Sequence, residues 1–160
     1  ALGLMAAMFT SWITQRKPDL SMILNGCLAG LVGITAGADC VSITSACVIG
    51  TISGIAFVFA VYFFDKICVD DPVGALSVHL VCGVWGTLAV GIFSPDHAFM
   101  PQLIGVIAVA VASIVISSII FLAMKYTMGI RVSRSDELRG LDIYEHGMEA
   151  YNGFQIFSNE

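Results

Sequence analysis

Charged side chains are scarce in this sequence, and basic ones are missing from two of its connecting regions. Only 12% of the 160 residues are charged, against roughly 25% in an ordinary soluble domain. Hydrophobic residues make up 58% of the chain, and the mean hydropathy is +0.90. Several apolar runs approach the ~20 residues that are needed to cross a hydrocarbon core. This composition excludes an ordinary soluble domain and predicts an all-α, polytopic membrane protein.

Paired cysteines are lacking as well. The five cysteines are dispersed and odd in number, and no two form a C-x-x-C pair, so neither a disulfide framework nor a zinc site is expected. The sequence shows no nucleophile–base pair and no cluster of metal ligands, so an enzyme, a metal ion and a cofactor are not expected. The formal net charge of −5 lies mostly in the loops and the tail, and no nucleic-acid partner is expected. The cysteines are Cys27, Cys40, Cys47, Cys68 and Cys82.

Five apolar segments follow one another along the chain. The first, over residues 1–14, is too short to span a bilayer and lacks an initiator methionine, so we interpret the chain as a fragment cut within a helix. The expected organisation is a partial transmembrane domain over residues 1–128 and a polar tail over residues 129–160. The four longer segments are predicted as helices over residues 20–38, 43–64, 72–93 and 101–128.

Lysine and arginine are confined to alternate connections between these segments. Arg16 and Lys17 follow the first segment, Lys66 follows the third, and the other four basic residues lie at or after the end of the fifth. The connections around Asp39 and Asp96 carry none. Short cytoplasmic loops of membrane proteins are enriched in lysine and arginine. The basic side, and with it the C-terminal tail, is therefore predicted to be cytoplasmic.

Small residues recur four positions apart in the second and third segments. This spacing is typical of helices whose backbones approach closely within a membrane. The predicted architecture is therefore a compact bundle. The pairs are Gly26–Gly30, Gly33–Gly37 and Gly50–Gly54.

His79 is the only acidic, basic or imidazole side chain away from the ends of the four longer segments. Regular α-helical spacing would place five residues on the same face, Ala75, Leu76, Cys82, Gly83 and Gly86. One interpretation is a structural histidine that is hydrogen-bonded to a carbonyl or hydroxyl group. The other is functional, because intramembrane ionisable groups are costly and commonly mark substrate or proton pathways. A neutral imidazole donates one hydrogen bond, accepts another and relays protons.

Asn25 is the other strongly polar side chain at depth, and its amide requires partners in the bundle or in a wet cavity. An interhelical hydrogen bond and a place on a substrate pathway both remain open for it. Asp70 and Asp71 precede Pro72, a favourable first residue for the fourth helix. Acidic residues there cap free N–H groups and complement the helix dipole. A structural role is predicted for these three residues, with a direct part in transport as the alternative.

Three blocks of the sequence together resemble the ammonium transporter family, in the Amt/Mep branch of the Amt/Mep/Rh superfamily. The first block is SMILNGCLAGLVGITAG, over residues 21–37. The second is VDDPVGALSVHLVCGVWGTLAVGIF, over residues 69–93. The third combines GIRVSR at 129–134 with GLDIYEHGMEAYN at 140–152. The blocks occur in the family's order and at its spacing, and the resemblance covers essentially the whole chain.

The resemblance implies an eleven-helix, inverted-repeat fold that assembles as a homotrimer with one pore in each subunit. This chain would supply the end of helix seven, helices eight to eleven, and the cytoplasmic tail. The family's topology places the C-terminus in the cytoplasm, in agreement with the basic residues. The implied location is the plasma membrane or the bacterial inner membrane.

The implied function is ammonium transport, with ammonium deprotonated at the pore and ammonia and a proton conducted past two histidines. His79 matches the second of these histidines, and its partner would lie upstream. Asn25 falls near a polar, pore-lining position. The tail would be an ordered regulatory segment, to which a PII-type signalling protein binds in many relatives, whereas its composition alone also allows a flexible terminus. The residues expected to matter in the regulatory tail are Asp142, His146, Gly147 and Tyr151. The alternative function is an ammonium sensor that signals through a cytoplasmic partner.

Overall fold

The computed structural model describes residues 1–150, and all the regular structure in that range is helical. Residues 1–112 form one compact unit, and the second unit begins at Ser113. Helix α5 contributes to both. The helices are α1 (Leu2–Gln15), α2 (Leu20–Thr35), α3 (Ile43–Lys66), a π-helix (Ala75–Val81), α4 (Cys82–Phe93), α5 (Phe99–Thr127), α6 (Arg134–Arg139) and α7 (Leu141–His146).

Within residues 1–150, three helical stretches are long and apolar enough to cross a membrane. They are α3 with 24 residues, the continuous π-helix and α4 with 19, and α5 with 29. Helix α2 is apolar but has only 16 residues, because it ends at Thr35 rather than at the predicted Ala38. Residues 36–40 are turns instead, in which the amide of Gly37 bonds to the carbonyl of Ile34.

Helices α1, α2 and α3 pack on one another through glycine backbones in the first unit. A methyl group placed on Gly3 of α1 would lie 2.6 Å from the carbonyl oxygen of Gly26 and 2.8 Å from the Cα of Gly30. Close backbone approach of this kind brings dispersion contacts to helices that gain no hydrophobic driving force from lipid. The small-residue spacing therefore marks real helix contacts. The buried core that surrounds them consists of Ala7, Ala29, Phe57, Val58, Val78 and Cys82.

Side-chain caps define the beginnings of α2 and α3. The carboxylate of Asp19 accepts a hydrogen bond from the amide of Met22 at 2.9 Å, and the hydroxyl of Ser42 accepts one from the amide of Ser45 at 3.1 Å. Each bond supplies a partner for one of the N–H groups that the first helical turn leaves unpaired.

The fourth helical stretch does not begin at Pro72. Pro72 and Val73 lie in a turn, Gly74 adopts the left-handed conformation with φ +75°, and the helix starts at Ala75 as a π-helix. The proline favoured an earlier start, but the left-handed Gly74 interrupts any right-handed helix that begins before it. The helical stretch continues in the α conformation from Cys82 to Phe93.

The second unit contains the remainder of α5 and two short helices. Ser133 caps α6 by accepting a bond from the amide of Asp136 at 3.2 Å. Gly147 ends α7 in the left-handed conformation, which is a common C-terminal signal. Arg131 forms two hydrogen bonds to the carboxylate of Glu137, at 2.9 and 3.2 Å. Residues 134–146 are thus largely helical, in a stretch whose composition also allowed a flexible terminus.

Candidate functional site: a π-helix that carries a histidine

The loop before the π-helix is held by the side chain of Asp71. One carboxylate oxygen accepts a hydrogen bond from the amide of Leu76 at 2.9 Å. The other accepts the amide of Ser77 at 2.9 Å and the hydroxyl of Ser77 at 2.8 Å. Partial burial raises the pKa of Asp71, but these hydrogen bonds favour the charged form and outweigh it, so the net pKa lies below the ordinary carboxyl value.

Asp71 is therefore bound to amides five and six residues further along the chain. An N-cap side chain would bond two or three residues ahead, and the N-cap position itself is occupied by Gly74. The neighbouring Asp70 is exposed and forms no side-chain hydrogen bond within residues 1–150. Pro72 is exposed in the turn between Asp71 and Gly74.

Asn25 lies beside the beginning of the π-helix. A methyl group on Gly74 would be 3.8 Å from the amide carbon of Asn25 and 3.7 Å from Cε2 of Phe57. It would also be 3.3 Å from Cγ2 of Val78, which is tight. Asn25 on α2 is half-buried. A β-carbon at position 74 would therefore be crowded only by Val78 and would make ordinary contacts with α2 and α3.

His79 is exposed on the surface of the unit that residues 1–112 form. Its face differs from the one that regular α-helical spacing predicts, because Cys82 and Gly86 are buried. The physical reason is the π-helix, whose i→i+5 hydrogen bonds change the rotation from one residue to the next. The prediction of a shared face was therefore wrong for Cys82 and Gly86, whereas Ala75 is exposed as His79 is.

The opposite face of the π-helix is buried against α3. Ser77 is 0% exposed and Val78 is 2% exposed. The thiol of Cys82 is directed toward the carbonyl oxygens of Ser53 at 3.5 Å and Ser77 at 3.6 Å. One turn further, the indole N–H of Trp85 donates to the carbonyl oxygen of Ile49 at 3.2 Å. The histidine thus stands on a helix whose other side is fixed by packing and hydrogen bonds.

The chemistry available at this site is that of an imidazole on an apolar helix. Neutral imidazole has one donor and one acceptor nitrogen. Such a ring can accept one hydrogen bond and donate another to a small polar molecule. Within residues 1–150, no group of three histidine, cysteine, aspartate or glutamate side chains is placed to hold a metal ion.

The predicted tail residues lie at and after α7. Asp142 accepts a hydrogen bond from the amide of Ala150 at 2.9 Å, and this bond is the main reason that the pKa of Asp142 is lowered. His146 is the last residue of α7, and Gly147 follows it with φ +63°. Tyr151 lies outside the described residues.

Sequence reasoning missed the part that Ser77 and Gly74 play. Ser77 resembled any small polar residue of an apolar helix, yet it is the fully buried partner of Asp71. Gly74 offered a signal, because a glycine two residues after a proline favours a turn. The signal was outweighed by the preference of proline for a first helical position.

The helical bundle and its apolar spans define a multi-pass α-helical membrane protein. The sequence model of the Ammonium Transporter Family matches residues 1–151. The chain therefore belongs to the ammonium transporter family.

Comparisons with individual proteins support the same family. A Synechocystis sp. protein provisionally named as an ammonium transporter is 44% identical over 92% of this chain and 34% of its own length. The ammonium transporter Amt2 of Archaeoglobus fulgidus is 36% identical over 100% of the chain and 38% of its own length. The crystal structure of Saccharomyces cerevisiae Mep2 superposes with a TM-score of 0.77 at 28% identity, over 85% of this chain and 35% of Mep2. The chain spans about a third of the length of these relatives.

Proposed function

We propose that the natural protein containing this chain carries ammonium across a membrane, and that His79 lines the pathway. The relatives are named as ammonium transporters. The observation that carries the proposal is the placement of His79. This ionisable side chain lies within a candidate membrane span and is exposed on the surface of the unit that residues 1–112 form. Groups of this kind in membrane helices commonly mark substrate or proton paths.

An apolar pathway along His79 would favour the deprotonation of ammonium. Burying an isolated cation in an apolar medium costs tens of kcal/mol by Born estimates, so a titratable cation neutralises instead. An apolar pore therefore favours ammonia over ammonium. His79, paired with a second histidine upstream, bonds the ammonia and gives the released proton a separate route. Potassium has no proton to lose and is rejected by the same scheme.

Asn25 is proposed as a polar contact on the same pathway, since it lies beside the beginning of the π-helix. The outward face of the protein would carry the loops around Asp39 and Asp96, and the tail would be cytoplasmic, as the positions of lysine and arginine favour. The expected assembly is a homotrimer in the plasma or inner membrane, with a PII-type protein as a candidate partner of the tail around Asp142 and His146.

The test replaces His79 with alanine in the natural protein and records ammonium-evoked current at matched surface abundance. We expect the ammonium current to fall and the remaining current to lose its selectivity. His97→Ala is the matched control, because His97 lies in the loop after α4 with its Nδ1 atom 3.0 Å from the hydroxyl of Ser94, and it should retain the current. An undiminished, selective current in His79→Ala overturns the proposed role. A wild-type protein that carries no current, but whose binding to a cytoplasmic partner depends on ammonium, would be a sensor.

A further inference from the structure

We propose that Asp71 is a positioning residue for His79, because its carboxylate fixes Ser77 on the buried face of the π-helix and thereby directs His79 to the opposite face. This inference rests on the proposed function, in which His79 lines the pathway. A carboxylate and a hydroxyl thereby join the residues on which the pathway depends. Neither group touches the substrate or the proton, and both act by fixing the rotation of the π-helix about its axis.

The connection from Asp71 to the helix is short and has few ways to rearrange. All three hydrogen bonds from Leu76 and Ser77 are 2.8–2.9 Å long. Two of them supply partners for amides in the first turn of the π-helix, where backbone N–H groups have no intrahelical acceptor. The third engages a hydroxyl that is 0% exposed. Hydrogen bonds to a charged acceptor are about twice as strong as neutral ones, so the carboxylate holds Ser77 firmly inward.

The position of Ser77 determines the position of His79. The two residues are two apart in the chain, which in a helix of about 3.6 to 4.4 residues per turn separates their side chains by roughly 160–200°. A Ser77 that points inward therefore requires a His79 that points outward. The observed exposures agree, since Ser77 is buried and His79 is exposed.

A π-helix requires this kind of support. Such segments are rare, and sparsely populated conformations persist only where their surroundings over-determine them. Here Gly74 supplies the left-handed residue at the start, Asp71 fixes the first turn, and the amide of Cys82 bonds to the carbonyls of His79 and Val78 at the end. Without the carboxylate, the first turn loses two acceptors and is free to rewind toward an ordinary α-helix, which rotates His79.

The experiment measures two currents in the natural protein, one evoked by ammonium and one by methylammonium, each divided by surface abundance. Loss of correctly folded transporters lowers both currents equally and leaves their ratio unchanged. A rotated His79 alters the pathway itself and changes the ratio. We expect Asp71→Ala to change the ratio by about threefold or more, the range of coupling between residues that share a network. Asp71→Asn, which keeps one acceptor oxygen, should change it less.

Asp70→Asn is the matched control. Asp70 is the adjacent carboxylate, is exposed, and forms no side-chain hydrogen bond in the part of the chain that the structure describes. Its replacement should leave the ratio unchanged. Should Asp71→Ala fail to reach the membrane, Ser77→Ala tests the same connection, because it removes only the buried hydroxyl and leaves both amide bonds to Asp71. If the ratio of the two currents then stays unchanged in Ser77→Ala, the inference is overturned.

A double-mutant cycle separates this inference from the function on which it rests. If Asp71 acts through His79, then Asp71→Ala should add no further change of the ratio in a His79→Ala background. If His79→Ala alters the currents while Asp71→Ala keeps the wild-type ratio, only the positioning role is overturned. If His79→Ala leaves both currents unchanged, the proposed function itself fails. Independent effects of Asp71→Ala and His79→Ala on the ratio also overturn the positioning role.

Discussion

Gly54 of α3 packs directly on the carbonyl group of Gly3 in α1. A methyl group on Gly54 would overlap the Gly3 carbonyl oxygen and would lie 2.9 Å from its carbon. One turn earlier on the same helix, a methyl group on Gly50 would have its nearest neighbour, the amide nitrogen of Gly3, at 4.0 Å. The two glycines of one small-residue pair therefore differ in the space around them.

Gly54→Ala should destabilise the protein by roughly 1–3 kcal/mol, the usual cost of overpacking. The obstacle is backbone, which cannot move aside as a flexible side chain can. Gly50→Ala is the matched control and should be nearly neutral or slightly stabilising, because alanine is the better helix former. Thermal unfolding of both variants in detergent checks this. Equal melting temperatures for the two variants would contradict the close contact.

Trp85→Phe should lower stability by roughly 0.5–1.5 kcal/mol, the net value of an ordinary hydrogen bond. The indole N–H of Trp85 joins α4 to the carbonyl oxygen of Ile49 in α3, and phenylalanine keeps most of the ring but has no donor. Trp12→Phe is the comparison, because Trp12 is 50% exposed and its indole donates to no group within residues 1–150. A larger loss in Trp12→Phe than in Trp85→Phe would argue against the interhelical bond.

Gly74→Ala should destabilise the loop before the π-helix. A left-handed conformation costs an L-residue roughly 1–2 kcal/mol, and the new methyl group would also press on Val78 at 3.3 Å. Gly83→Ala, in α4, meets only Val32 at an ordinary 3.9 Å and serves as the control. Melting temperatures measured side by side should fall for the first variant only. An unchanged Gly74→Ala protein would show that the loop adopts another conformation.

The hydrogen bond between the carboxylate of Asp142 and the amide of Ala150 should depend on pH. The folded-state pKa of Asp142 is lowered, chiefly by the bond from Ala150. The stabilisation is therefore present above the ordinary value of 3.8 and is lost as the pH falls through the lower, folded-state pKa. Hydrogen exchange of the Ala150 amide, corrected for its intrinsic rate, should be slow at neutral pH and should accelerate in acid.

Asp142→Ala should give the fast exchange of the Ala150 amide already at neutral pH. Glu145→Gln, a change on the same short helix, should retain the protection because Glu145 is not the acceptor. Protection that persists in Asp142→Ala would show that another group holds this amide.

Most of the helices were readable from the sequence. Apolar length predicted the spans of α3 and α5 to within three residues at each end, because hydropathy over a long window averages out local irregularities. The family was readable from three blocks of sequence. The end of α2 and the start of the fourth helical stretch were not, since both depend on turns that a few residues form through local hydrogen bonds.

The residue types and their order set this protein's class, its spans and the presence of one histidine in an apolar helix. They did not set the direction of that histidine. A side chain's direction depends on the rotation of every turn before it, and here that rotation is fixed by a π-helix that α-helical periodicity does not anticipate. The π-helix in turn packs on segments distant in the chain, as the contact of the Cys82 thiol with the carbonyl oxygen of Ser53 in α3 shows. Contacts of this kind exist only once the helices have packed, and so only the folded chain shows which way His79 points.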